Sequence, residues 1–172
     1  CTMKKMIPYS HQTIGKDDIR AVTRVLQSDF LTQGQEILRF EESLAKQVGA
    51  RYAVAFSSGT AALHGAYFAV ELKKGDEFIT TPLTFAATAN AGLYLGAKPV
   101  FADIDKNGNL DPKETEKNIT KKTKMILVVD YSGRPADLGA FRRLARKYKL
   151  ALVEDACHAL GAEHQGKKIG SV

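Results

Sequence analysis

A strand-like run, LALVE (150–154), leads into Glu154 and Asp155, two adjacent carboxylates, with His158 three residues on. A carboxylate at the end of a buried strand is costly unless a cation or several hydrogen bonds answer it. Upstream, YAVAF (52–56) runs into Ser57, Ser58, Gly59 and Thr60, a small-residue turn that opens a helical pattern. Free backbone N–H groups and the positive end of a helix suit such a turn to a phosphate, and the hydroxyls of Ser58 and Thr60 could add donors. Taken alone, the turn reads as a plain helix cap. After EFITT (77–81), Thr84 can cap the next helix, and Phe85 offers a ring that either stacks on a flat ligand or fills the core. After MILVVD (125–130), the turn YSGRPADL carries Asp137, a candidate cap.

These residues need a frame that brings distant strand ends together. Apolar runs at 52–56, 77–81, 99–104, 125–130 and 150–154 read as strands. Helical patterns lie between them: Thr60 to Leu72, Thr84 to Leu95, and Ala136 to Tyr148 with Leu138, Phe141, Leu144 and Ala145 on one face. Asp111, Pro112 and Glu114 form a helix start, with a capping Asp, a proline at the first position and Glu three residues after the cap. Two further helices, 16–27 and 35–48, precede the first strand. Strands alternating with helices predict an α/β fold, a mainly parallel sheet flanked by helices. Ligands of such sheets bind beyond the carboxyl ends of the strands.

The strand ends therefore offer a phosphate cradle, an aromatic plate and a carboxylate. Together they suit a flat, phosphorylated, cationic heteroaromatic, and pyridoxal 5'-phosphate is such a molecule. An aspartate facing its ring nitrogen keeps that nitrogen protonated, which improves the ring as an electron sink. A salt bridge from Asp155 to a lysine or arginine is the alternative.

Composition narrows the classes. The chain has 172 residues, 25 basic and 19 acidic, for a net charge of +6. The basic stretches RRLARKYK and KNITKKTK read as solvated helix faces. No nucleic-acid motif accompanies them, so an anionic small molecule is the better match to the charge. No apolar run approaches the ~20 residues that span a bilayer, and CTMKKMIPYS lacks the apolar stretch of a signal peptide. Cys1 and Cys157 are far apart without metal-ligand spacing, which predicts no metal site and a reduced, cytoplasmic protein. Residues 1–5 read as an expression remnant or loose start, and 6–172 as one domain.

The motifs FLTQG (30–34), SSGTAAL (57–63), TPLTFAATANA (81–91), GAKPVFADID (96–105), TKMILVVDYSGRPADL (123–138) and EDACHALGA (154–162) occur in this order across nearly the whole chain. In them the chain resembles the N-terminal part of the DegT/DnrJ/EryC1/StrS sugar-nucleotide aminotransferases. LTQG, ITTPLTFAATAN, the GNLD turn and VDYSG are most similar to the branch that aminates a UDP-linked 4-keto-6-deoxy-N-acetylhexosamine in pseudaminic acid synthesis. The resemblance implies an aspartate-aminotransferase-like large domain, incomplete here, of PLP fold type I, working as a homodimer. By the same resemblance Gly59 and Thr60, with Ser58 beside them, would bind the cofactor phosphate and Phe85 would stack on its ring. Asp155 would pair with the ring nitrogen, His158 would hydrogen-bond the ring hydroxyl, and Thr32 would lie near the nucleotide sugar. Many relatives carry Gln at His158, and either side chain serves the ring oxygen. Cys157, where a smaller residue is expected, is assigned to packing.

The family's Schiff-base lysine lies beyond the equivalent of GKKIGSV, so no catalytic lysine is assigned. Lys167 and Lys168 read as surface residues. The expectation is that the complete protein transfers an amino group from a donor such as glutamate to a nucleotide-linked keto sugar, and that this chain alone is inactive. A non-catalytic module binding phosphate or nucleotide sugar, or one half of a split enzyme, is the alternative. A dinucleotide-binding oxidoreductase lacks its G-x-G-x-x-G, and a hydrolase its G-x-S-x-G.

Overall fold

The computed structural model describes residues 11–171, so the reading of residues 1–5 lies outside the described chain. Two compact units follow one another, the first ending at Phe40 and the second beginning at Glu41. The first holds α1 (Lys16–Leu26) and the start of α2 (Gln35–Val48). Asp17 and Asp18 occupy the first turn of α1 and Arg24 its last, matching the helix dipole.

The second unit is built on four parallel strands: β1 (Glu77–Thr80), β2 (Lys98–Phe101), β3 (Thr123–Val129) and β4 (Ala151–Asp155), in the order β2-β1-β3-β4. The helices α3 (Gly59–Ala69), α4 (Ala87–Tyr94), α5 (Pro112–Lys117) and α6 (Leu138–Tyr148) connect or flank them, and a short antiparallel hairpin, β5 (Glu163–His164) with β6 (Lys167–Lys168), follows β4. Successive strand residues point to opposite faces. Phe78, Met125 and Leu127 pack with Leu63 and Tyr67 of α3 and Ala87 and Ala91 of α4. Ile79, Ile126 and Val128 pack on the other face with Leu138, Phe141 and Leu144 of α6. Both faces are covered, which is why these strands read as continuous apolar runs.

Local signals hold where they are chemically complete. The Asp111 carboxylate caps α5, accepting from the N–H groups of Lys113 and Glu114, and Asp137 caps α6 by accepting from Ala140. Two expectations need correction. Residues 52–56 join no ladder among the described residues: Tyr52, Val54 and Phe56 are exposed, and the Ala55 N–H donates instead to Glu41 Oε1 at 2.8 Å. A β-branched, aromatic run makes a strand only where a neighbouring backbone is available to pair with it. Thr84 does not cap α4, which starts at Ala87 without a side-chain cap. Its hydroxyl is hydrogen-bonded to Thr88 Oγ1 at 2.7 Å.

Candidate active site at the strand ends

The strand parity that builds the two cores also separates the two carboxylates. Val153 faces the α3–α4 side and Leu152 the α6 side, so Asp155 continues the first row and Glu154 the second. Each carboxylate meets a different solution.

Asp155 is buried, with 8% of its surface exposed. Its Oδ2 accepts from Thr88 Oγ1 at 3.2 Å and its Oδ1 from the Cys157 N–H at 3.3 Å. Because Thr88 donates to Asp155, the Thr84 hydroxyl must donate to Thr88, giving a relay Thr84–Thr88–Asp155. Tyr67 supports it from below, donating its hydroxyl to the Thr88 carbonyl at 2.8 Å. Burial, and then the Asp155 charge, push the Tyr67 hydroxyl far above the usual phenol range, so it stays a donor. Cys157 is exposed, so the packing role read from the sequence is not what the structure shows; lost solvation and Asp155 push its thiol up to about 11, which keeps it protonated and unreactive. Among the described residues no lysine, arginine or histidine forms an ion pair with Asp155. Among the described residues the salt-bridge alternative is not realised, and two neutral donors leave acceptor capacity for a cationic N–H.

Glu154 meets another acid. One oxygen, Oε2, accepts from the Gly170 N–H at 3.1 Å, while Oε1 is buried without a hydrogen-bond donor. Asp130, just past β3, accepts from the Ala136 N–H at 2.8 Å through Oδ1 and likewise leaves Oδ2 buried and unanswered. Burial, and then the neighbouring Asp130, push Glu154 up to about 8, and burial raises Asp130 as well. One proton shared by the two acids would satisfy both oxygens, with His164 near Asp130 and Arg142 near Glu154 as the positive charges acting on the pair.

The other sequence-derived residues are placed as follows. Ser58 caps α3, its hydroxyl accepting from the Ala61 N–H at 3.1 Å. Gly59 and Thr60 are the first two helical residues, whose N–H groups have no intrahelical acceptor. A Cβ built on Gly59 would lie 3.6 Å from Cys157 Sγ, which sets the start of α3 against the segment that follows Asp155. Phe85 is 76% exposed, in the loop whose Phe85 carbonyl accepts from the Thr88 N–H. His158 is exposed in the turn after β4, closed by the Ala159 N–H donating to the Ala156 carbonyl. Thr32 is exposed in the first unit, between α1 and α2. Lys167 and Lys168 lie exposed on β6, with Lys168 paired to Glu163 at 2.6 Å.

Sequence reasoning missed Thr88 and Tyr67. Their signal was present as Thr84 and Thr88 one helical turn apart, but nothing in the spacing says that a threonine will face a strand end.

A family model, the DegT/DnrJ/EryC1/StrS aminotransferase family, matches residues 12–172. Over 170 residues the chain is 45% identical to the UDP-4-amino-4,6-dideoxy-N-acetyl-beta-L-altrosamine transaminase of Campylobacter jejuni subsp. jejuni serotype O:23/36 (strain 81-176), covering 97% of this chain and 45% of that one. Among solved structures, Helicobacter pylori PseC, an aminotransferase involved in the biosynthesis of pseudoaminic acid, matches with a TM-score of 0.92 and 42% identity over 96% of this chain and 45% of its own. Bacillus subtilis ntda with bound cofactor PMP matches with a TM-score of 0.84 and 36% identity, over 89% of this chain and 36% of its own. The chain spans 45% of the length of the Campylobacter relative. The fold is the aspartate-aminotransferase-like α/β class of these sugar aminotransferases, and the chain belongs to the DegT/DnrJ/EryC1/StrS aminotransferase family.

Proposed function

We propose that the complete protein is a pyridoxal 5'-phosphate-dependent aminotransferase. In this reading it takes an amino group from an amino-acid donor, glutamate by preference, and delivers it to the keto carbon of a UDP-linked 4-keto-6-deoxy sugar. The product would serve surface-glycan or nonulosonic acid synthesis. The observation that carries the reading is Asp155: a buried carboxylate at a parallel strand end, held by two neutral donors and, among the described residues, no cation, beside the open start of α3.

The residues fit the cofactor, which when bound supplies an electron sink next to the reacting carbon. Asp155 keeps a proton on the ring nitrogen, and Thr88 and the Cys157 N–H hold its carboxylate in orientation. The free N–H groups of Gly59 and Thr60 take the phosphate, aided by the Ser58 hydroxyl and the helix dipole. Phe85 covers one face of the ring and excludes water there. His158 holds the ring oxygen, and Thr32 contributes to the nucleotide-sugar site.

Exposed apolar side chains in the second unit, among them Tyr52, Val54, Phe68, Phe85 and Leu160, support a homodimer. The two cysteines support a reducing compartment, the cytoplasm. No helix among the described residues is long and apolar enough to cross a membrane.

The test is titration of the full-length protein with pyridoxamine phosphate. Asp155→Asn is expected to weaken binding at least ~10-fold, the loss of about 1.4 kcal/mol. Unchanged affinity would remove Asp155 from the cofactor site and the reading with it.

A further inference from the structure

Three part-buried hydrogen bonds tie a turn outside the site to a loop that borders it. Asn109, in the turn between β2 and α5, is 3% exposed. Its Nδ2 donates to the carbonyls of Arg134 at 3.1 Å and Pro135 at 3.2 Å, and its Oδ1 accepts from the Tyr131 N–H at 3.0 Å. All three partners lie 22 to 26 residues away in sequence. One side chain thus spans both ends of the loop that follows β3. Asn109 is itself fixed, its N–H donating to Asp105 Oδ1 at 3.1 Å and its carbonyl accepting from the Asp105 N–H at 2.7 Å.

The clamped loop is under conformational constraint. Ser132 and Gly133 both adopt left-handed backbone angles, with φ of +55° and +78°. A non-glycine residue there carries strain that its surroundings must hold in place. Gly133 also lies against the turn after β4: a Cβ built on it would lie 2.9 Å from the His158 carbonyl oxygen. The backbone of His158 therefore rests against the loop that Asn109 holds.

We infer that Asn109 is a positioning residue: by pinning residues 131–135 it fixes the backbone of His158 at the end of β4. The role of His158 toward the cofactor rests on the function proposed above, whereas its placement by Asn109 does not. Asn109 meets no reacting atom and acts only through the loop. The type of side chain matters. Aspartate keeps the acceptor for Tyr131 but loses both donors, and alanine loses all three bonds.

The experiment follows the His158 imidazole by NMR in the cofactor-free protein, together with pyridoxamine phosphate affinity in the full-length protein. Variants are Asn109→Ala, Asn109→Asp and Gly133→Ala. The His158 ring signals are expected to shift in all three. Affinity is expected to fall about fivefold or more in Asn109→Asp, which loses two hydrogen bonds, fivefold corresponding to about 1 kcal/mol. A lowered melting temperature with unmoved His158 signals would overturn the inference, since that is what a purely structural asparagine gives. If Asn109→Ala fails to fold, Gly133→Ala strikes the same joint from the other side, and silence at His158 there overturns it equally. If Asp155→Asn leaves affinity unchanged, the proposed function falls, while the His158 signals still decide the inference.

Discussion

Two adjacent acids in one strand meet different partners because they face opposite ways. Glu154 is held up at about 8 by burial and by Asp130, whereas its ordinary value is 4.5. The folded state therefore binds more protons than the unfolded state between these values, and stability falls as pH rises. The contribution is fully present below about 4.5 and lost on passing about 8. Melting temperatures at acidic, neutral and alkaline pH are expected to decline across this window. Glu154→Gln, which keeps an acceptor for Gly170 and supplies its own donor to Asp130, is expected to flatten the decline. Parallel curves for the two proteins would refute the shared proton. On the other face, Thr88→Val removes a hydrogen bond to a buried carboxylate. It is expected to cost ~1.5–3 kcal/mol in denaturant unfolding and to weaken pyridoxamine phosphate binding. Full retention of both would show that Asp155 is held by Cys157 alone.

At the scale of elements, the close approach of α4 to β1 depends on a missing side chain. A Cβ on Gly92 would sit 2.2 Å from Cε1 of Phe78, a ring with no exposed surface. Gly92→Ala is expected to destabilise by ~1–3 kcal/mol through overpacking, read as a lower urea midpoint with unchanged slope. An unaltered midpoint would mean that α4 is free to shift away. Most elements were legible from the sequence because their determinants are local. Asp111 followed by Pro112 starts α5, and the apolar stripe of Leu138, Phe141 and Leu144 faces α6 inward. The end of β4 at Asp155 was likewise readable from order along the chain, whereas the turn at 57–60 follows a run that joins no ladder. What was not legible depends on contacts between distant segments. Residues 52–56 have strand chemistry but no ladder, Thr84 bonds to Thr88 instead of capping, and Asn109 reaches across 22 residues or more to its partners. A pattern of residue types carries no register between elements, so such pairings surface only in three dimensions.

At the scale of the whole molecule, the run 52–56 leaves Tyr52 and Val54 more than 70% exposed without ladder pairing. Exposed apolar side chains so placed favour association. The isolated chain is expected to self-associate with rising concentration in sedimentation experiments, and Val54→Lys is expected to reduce this. A monodisperse monomer at high concentration, unchanged by the substitution, would show that the run is innocuous. Strand parity has a consequence for folding fidelity as well. In the native pairing Val128 lies opposite Glu154 and Val129 opposite Asp155. A one-residue slip of β4 would turn every side chain over. Asp155 would then enter the apolar face beneath α6, and Glu154 would meet a threonine hydroxyl in place of its acidic partner, with both leucine and valine rows inverted around them. The mispaired sheet would carry two stranded charges in place of one proton-sharing pair and one carboxylate held by two donors. The strand thus proofreads its own alignment, and its two acids act as the error signal.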